Sequence, residues 1–300
     1  MSKHSFKEWI AATRYWSFPV SSMPVIATYT YLFSKHLLPL EGRSVPVFML
    51  SLAGVVILHA AGNLLSDWAD FRSGVDNDQA YAVPNLVFGR FKAEEYLRMS
   101  IILFIAGILC GAGVVLLSGP AVLLIGAAGV LLTVLYSFLK YHALGDADIF
   151  LIFGILTVLG TTAAATGSIL WDALVLSFPL GIITVSVLHA NNTVDIETDR
   201  AAGIKTFAML IGAKASAVLY RIYMLLPFIC ILVSVIAGWL HPLSLLCLVA
   251  AVPAWKNFMQ AGQYDDKGTD ALKGLDQSTA KLQLVFSGLL SLGLFISGLL

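Results

Sequence analysis

The sequence predicts an all-α, polytopic membrane protein with about nine transmembrane helices and its charged chemistry gathered on one side. Three observations carry this. The chain is 58% apolar and only 12% charged, where a soluble domain carries roughly a quarter charged residues. Its mean hydropathy of +0.86 means that lipid is the solvent for much of its surface. Long apolar runs recur from end to end, and Lys and Arg fall almost entirely on one side of them.

In chain order the runs lie near 17–34, 46–66, 98–117, 120–139, 149–169, 173–193, 215–238, 242–259 and 281–300. Each approaches the ~17–25 residues a crossing needs. Backbone groups cannot go unpaired in lipid, so the runs are helices. Barrel strands would alternate in polarity over about ten residues, and these runs do not. Ser118-Gly119-Pro120 makes a tight hairpin, and the joints at Trp171-Asp172 and His241-Pro242 are also short. The longer polar connections are 67–97, 140–148, 194–214 and 260–280, the last read only as a rim connection.

Nine crossings put the N-terminal tail and these four connections on one face. That face holds Lys3, Lys7, Arg14, Arg72, Arg90, Lys92, Arg98, Lys140, Arg200, Lys205, Lys214, Arg221, Lys256, Lys267, Lys273 and Lys281. The other holds Lys35 and Arg43. Sixteen against two, by the positive-inside rule, predicts a multi-pass protein of the cell (inner) membrane, N-terminus cytoplasmic and C-terminus outside. The N-terminal residues show no apolar run followed by a small-residue cleavage site, so no cleaved signal is expected. Cys110, Cys230 and Cys247 sit inside apolar runs without metal-ligand spacing and read as small core residues. Apart from Glu41 and Asp172, the acids share the basic face. The positive-inside rule does not require that; a charged active site does.

Two clusters stand out. In the first, Asn63, Asp67 and Asp70 fall at i, i+4 and i+7, one face of a continuing helix. Gly74 would end or bend that helix and let Asp76 fold back to the same point. In the second, Asn191 or Asn192 shares a face with Asp195, and Asp199 lies one turn on. Asn63 to Asn191 and Asp67 to Asp195 are the same distance apart in sequence, and both pairs close an even-numbered span. This predicts one membrane domain over 1–300 built of two pseudo-repeated halves, roughly 1–140 and 141–300. Carboxylates aimed at one place repel until a divalent cation neutralises them. Mg²⁺ takes oxygen ligands, one or two carboxylates plus substrate phosphates. Facing clusters could therefore hold Mg²⁺ and, between them, a diphosphate, with Lys140, Arg200, Lys205 and Arg72 as nearby cations. The plainer alternative is a solvated rim of ion pairs, which has no reason to repeat Asn-x₃-Asp at matching helix ends.

Other segments are less specific. Tyr136 to Asp148 could supply a diphosphate-binding Lys140 and tyrosines facing a carbocation, or an interfacial aromatic belt. Arg14 to Pro24 reads equally as a site segment or as an interfacial anchor with a kinked helix. His189 precedes the second cluster and is a candidate substrate contact. His59, one turn before Asn63, reads more simply as a satisfied polar group within the bundle.

On these residues the chain resembles the UbiA superfamily of intramembrane prenyltransferases, within it the MenA branch (1,4-dihydroxy-2-naphthoate prenyltransferases) and the related animal menaquinone-4 enzyme. Residues 188–212 are similar to that branch's "NNxRDxxxDxxAGxxTLAxxxG", and Asp67 to Asp76 to its "NDYxDxxxGxD". Val194 stands where Arg is usual and Ser66 where Asn is frequent. The loop Asn77 to Asn85 lacks the "RTxxRP"-like stretch of the ubiquinone and haem-O branches. The resemblance implies a nine-helix bundle around a central cavity open to the rim and sideways to lipid. It also implies Mg²⁺-dependent transfer from a polyprenyl diphosphate to an aromatic acceptor. Asn63, Asp67, Asp70, Asp76, Asn191, Asp195 and Asp199 would hold metal. Asp67, Asp70, Asp195, Asp199, Lys140 and Tyr136 would be catalytic. Asn63, Asn191, Asn192, Arg72, Arg200, Lys205, Asp146, His189 and Arg14 would contact the donor. Membrane lipid is the other expected partner, and nucleic acid is not one. Rival readings are another acceptor (phenolic, tetrapyrrole or glycerol phosphate) and a transporter, whose acids would lie mid-span. A CDP-alcohol phosphotransferase would need a "DGxxAR" stretch that is not present.

Overall fold

A computed structural model describes residues 4–38, 42–76 and 85–300. Lys3, Glu41 and most of the 77–85 loop, named above, lie outside the described residues. The described chain is almost entirely helical, and no strand occurs among these residues. A short amphipathic helix, α1 (Phe6–Ala12), opens with a Ser5/Glu8 capping box that satisfies its first free N–H groups. The helices that follow are α2 (Pro19–Ser34), α3 (Ser44–Ser73), α4 (Ala93–Ser118), α5 (Ala121–Tyr141), α6 (Gly145–Thr166) and α7 (Trp171–Val194). Then come short α8 (Ile196–Ala201) and α9 (Phe207–Ile211), and the long α10 (Ala213–Ile236), α11 (Pro242–Ala261) and α12 (Leu275–Ser297).

Eight of these are long and apolar enough to cross a bilayer, which makes the chain a multi-span membrane protein. The ninth expected span is α2, whose 16 residues give only ~24 Å at 1.5 Å per residue. It nevertheless runs alongside α12. Both begin beside the central cavity, through Ser17 and Asp276, and at the opposite end Phe33 stacks on Phe295 at 5.2 Å.

Packing divides the helices by role. The main core joins α2, α7, α10, α11 and α12 through Leu32, Leu180, Tyr220, Cys247 and Phe286. Helices α3 and α4 pack closely on each other. Helix α5 faces lipid so fully that Lys140 is its one buried residue. A smaller cluster, Ala12, Leu64, Leu86, Phe91 and Tyr96 with Trp9 and Trp68, seats α1 over the ends of α3 and α4.

Helix α6 carries a π-helical turn, Phe150–Leu156. Within it, Gly154 faces Gly181 of α7, and the two helices approach until a Cβ on either would stand 3.1–3.2 Å from the other's Cα. Ile149, Ile152 and Phe153 line the cavity wall.

Candidate active site

A cavity of about 520 Å³ opens between the two groups of helices. Its rim is built from helix ends. Helix α3 extends past its apolar stretch, and Asn63, Asp67 and Asp70 line the cavity from one face. At Gly74 (φ 76°) the chain turns in a Schellman arrangement, with Val75 N–H donating to Asp70 O at 2.9 Å and Gly74 N–H to Phe71 O at 3.3 Å. Asp76 is thereby folded back onto the cavity, as the spacing predicts. Opposite, α7 ends at Val194, and Asn191, Asp195 and Asp199 line the same space across the break between α7 and α8. Asn191 Nδ2 donates to Asp195 Oδ2 at 3.2 Å.

Protein cations hold two of the carboxylates. Arg14 forms a short ion pair with Asp67. Its backbone is left-handed (φ 55°, ψ 48°), a conformation rare for a residue with a Cβ, and it links α1 to the 3₁₀ turn before α2. Asp67 raises the guanidinium pKa above its ordinary value. Lys140 Nζ lies 3.1 Å from Asp70 Oδ2, and the Tyr141 hydroxyl donates to Asp70 Oδ1. Asn63 Nδ2 donates to Thr13 O at 2.9 Å.

Two further rim acids lack such partners at one oxygen each: Asp76 Oδ2 and Asp199 Oδ2 are buried with no hydrogen-bond partner. Burial pushes Asp76 up to about 7, helped by Asp70 and Asp67 and opposed by Arg14 and Lys140. Burial likewise pushes Asp199 up to about 7, against the pull of Lys140.

The rim fits a hard divalent cation. Its donors are carboxylate and amide oxygens, the set Mg²⁺ prefers over imidazole or thiolate. Buried carboxylate oxygens without partners face the cavity. Among the described residues no three His, Cys, Asp or Glu side chains are grouped closely enough to hold an ion by themselves.

Six expected contacts are not brought to the cavity. Arg72, two residues past Asp70 and so turned ~200° around the helix, lies over Trp68 at 5.8 Å. Arg200 is exposed and pairs with Glu197 at 2.8 Å. Lys205 is exposed too; its backbone pairs with 141–143, through Lys205 N–H to Tyr141 O (3.1 Å) and Ala143 N–H to Lys205 O (2.7 Å). Asn192 points into the protein beside Asn191 and is buried. Asp146 and His189 bond to each other at 2.7 Å inside the bundle, and neither lines the cavity. Val194 packs against the main core and does not line the cavity.

Conversely, Ser17, Tyr96, Thr198, Asp276 and Gln277 do line the cavity. Asp276 and Gln277 open α12 and were hidden in a connection read only as rim; an acid in a first helical turn reads as ordinary capping. Tyr136 lines the wall below the rim. Deeper still the lining is mostly apolar, with Val20, Ile149, Ile152, Phe153, Val187 and Leu188, and it also holds His59, Thr133 and Thr184. Behind His59 and Phe153 lies a second, apolar cavity of about 150 Å³ between α3, α4, α5 and α6.

The comparisons agree with this architecture. UbiA prenyltransferase domain-containing protein 1 of Mus musculus is 32% identical over 300 residues, covering 98% of this chain and 83% of the mouse protein. Its Homo sapiens counterpart is 34% identical over 295 residues, covering 96% and 81%. Among solved structures, a UbiA homologue from Aeropyrum pernix K1 has a TM-score of 0.69 at 20% identity over 93% of this chain and 97% of that one. A UbiA homologue from Archaeoglobus fulgidus bound to GPP and Mg²⁺ has a TM-score of 0.69 at 12% identity, over 98% and 100%. The model of the UbiA prenyltransferase family matches residues 22–282. With its spans, its cavity and this match together, the chain belongs to the UbiA prenyltransferase family.

Proposed function

We propose that the chain transfers a polyprenyl group from its diphosphate to an aromatic acceptor, with Mg²⁺, and that the acceptor is 1,4-dihydroxy-2-naphthoate, as in menaquinone biosynthesis. The observation that carries the reading is the cavity's polarity. Asp67, Asp70, Asp195 and Asp199 stand at its mouth, and its depth is mostly apolar. A diphosphate with an isoprenoid tail has the same two ends. The GPP- and Mg²⁺-bound Archaeoglobus homologue supports the donor class, and the motif at 188–212 supports the acceptor. The rim faces the cytoplasm in this reading, on the strength of the Lys and Arg asymmetry.

Asn63, Asp67, Asp70, Asp76, Asn191, Asp195 and Asp199 would hold the metal, whose chemistry is to offset the charge of the departing diphosphate. Arg14 and Lys140, already at the rim, turn their N–H groups to phosphate oxygens. Tyr136, on the cavity wall, would offer its ring to the allylic cation. The apolar depth and the second cavity take the tail.

The test is pyrophosphate release and product formation by the purified chain in detergent, with geranylgeranyl diphosphate and a panel of acceptors. Prenylated product is expected with dihydroxynaphthoate and is lost on adding EDTA. Product from only a phenolic acid, a tetrapyrrole or glycerol phosphate would reassign the acceptor. No release with any of them would sink the enzyme reading.

The pH dependence of metal binding follows from Asp76 and Asp199. With pKa values of about 7, both are largely protonated below that pH and must lose a proton to hold a cation. Mg²⁺ affinity should therefore rise with pH, by up to about tenfold per unit per proton released, and level off above about 7. Calorimetric titrations in buffers on both sides of that value check it; a flat profile would contradict the assignment of these two acids.

A further inference from the structure

His59 is at membrane depth on α3, and its ring lines both the carboxylate cavity and the apolar cavity behind it. Eight residues before Asp67, it lies ~12 Å deeper along the helix axis. Its contacts are two rings and two hydroxyls. Phe18 and Phe153 stand with centroids 5.7 and 5.1 Å away. Ser21 Oγ is 3.0 Å from Nδ1 and Ser17 Oγ is 3.4 Å from Nε2.

The neighbouring hydroxyls bound what the ring can do. A serine hydroxyl has one hydrogen. That of Ser21 reaches either the carbonyl of Phe18 at 3.1 Å or Nδ1 at 3.0 Å; in the first arrangement Ser21 accepts from Nδ1, which then carries the imidazole hydrogen. That of Ser17 goes to the carbonyl of Arg14 at 2.7 Å, leaving none for Nε2. The alternative, a doubly protonated ring, would set a cation at membrane depth beside two hydroxyls, with the Arg14 guanidinium as a like charge above it. The ring is therefore neutral, and in the tautomer whose Nδ1–H is accepted by Ser21 the Nε2 lone pair is on the cavity wall next to Ser17.

We propose that Nε2 of His59 accepts the hydroxyl proton of the aromatic acceptor, making His59 the general base of the transfer; this rests on the aromatic-acceptor reading above. The acceptor lies between the rim and His59, its ring beside Phe153. As the O–H proton passes to Nε2, its electron pair feeds the aromatic ring. A ring carbon forms a bond to C1 of the prenyl group, and the C1–O bond breaks with its electrons leaving on diphosphate. The prenylated dienone then loses the displaced group from the attacked carbon, a proton or, for a carboxylate, CO₂. Imidazolium returns its proton to the oxygen. A neutral base suits this position: Asp67 and Asp70 are engaged by Arg14 and Lys140 at the rim, where the diphosphate belongs.

The test compares wild type, His59→Gln and Ser21→Ala, purified full-length with geranylgeranyl diphosphate, Mg²⁺ and a series of hydroxynaphthoates of graded hydroxyl acidity. His59→Gln should lower kcat for product by about a hundredfold or more. It should leave the Kd for donor with Mg²⁺ within about twofold, since the ring is far from the rim. It should also make the rate depend more steeply on acceptor acidity, because an acceptor that ionises readily needs the base least. Ser21→Ala keeps the ring but removes the group that orders Nδ1–H, and should show a smaller loss with the same steepening. Wild-type rates and acidity dependence in His59→Gln would overturn the proposal. So would a parallel loss of donor affinity, which marks a packing role. Should His59→Gln not fold, an unchanged acidity dependence in Ser21→Ala overturns it. A wild type that prenylates no aromatic acceptor sinks the functional reading itself, a different result from an active wild type matched by its variant.

Discussion

Asp195→Asn is expected to lower prenyl transfer by at least about a hundredfold, or ~2.7 kcal/mol of transition-state stabilisation. Asp195 is the residue between α7 and α8 and lines the cavity with Asp199 and Asn191. The substitution keeps the shape and replaces an anionic oxygen donor with a neutral amide, in a cavity whose low dielectric magnifies charge. Asp195 separates function from folding better than Asp67 does, because removing Asp67 would also strand Arg14. Steady-state rates with saturating donor, together with a melting curve, decide the matter. The expected pattern is lost turnover, little change in melting and weaker Mg²⁺ binding by calorimetry. A variant turning over within about threefold of wild type would remove Asp195 from the metal set.

Asp146→Ala is expected to cost about 3–5 kcal/mol of stability. Asp146 Oδ2 lies 2.7 Å from His189 Nδ1, and His189 Nε2 lies 3.2 Å from the carbonyl of Ser216. That carbonyl can only accept, so Nε2 carries a hydrogen. The Nδ1 contact then holds one further proton, whether on nitrogen as an ion pair or on the carboxyl. Either way the alanine leaves a fully buried imidazole without its partner. The pair joins the start of α6, the end of α7 and α10, so it fixes the position of Asn191 relative to Lys140. Asp146→Asn can still donate an amide hydrogen to Nδ1 and should lose less. Thermal or denaturant unfolding in one detergent compares the three proteins; equal stability of wild type and alanine variant would refute the role.

Most of the fold was legible because lipid imposes a length and a composition on each helix. The rim was legible where a single helix face decides it: Asn63, Asp67 and Asp70 are neighbours by periodicity alone, and Gly74 marks the turn that returns Asp76. Proximity in sequence misled where rotation matters. Arg72 and Arg200 adjoin cavity residues yet project elsewhere. The Asp146–His189 pair depends on how two helices pack, which neither local sequence encodes. The π turn in α6 lies where Gly154 approaches Gly181, and two glycines far apart in the chain give no sign of that approach. The length of α2 was read too generously because Tyr15–Ser17 forms a 3₁₀ turn ahead of the α-helix.

The pairing of Arg14 with Asp67 and of Lys140 with Asp70 has an energetic corollary. If those carboxylates turn to a metal and those cations to a phosphate, both pairs open in the same event. A divalent ion alone would leave two cations facing it, and a diphosphate alone would leave two anions facing it. The two ligands are therefore cooperative: each raises the other's affinity by the same factor, as linkage requires. On this reading the ion pairs would favour the matched couple over either ligand alone.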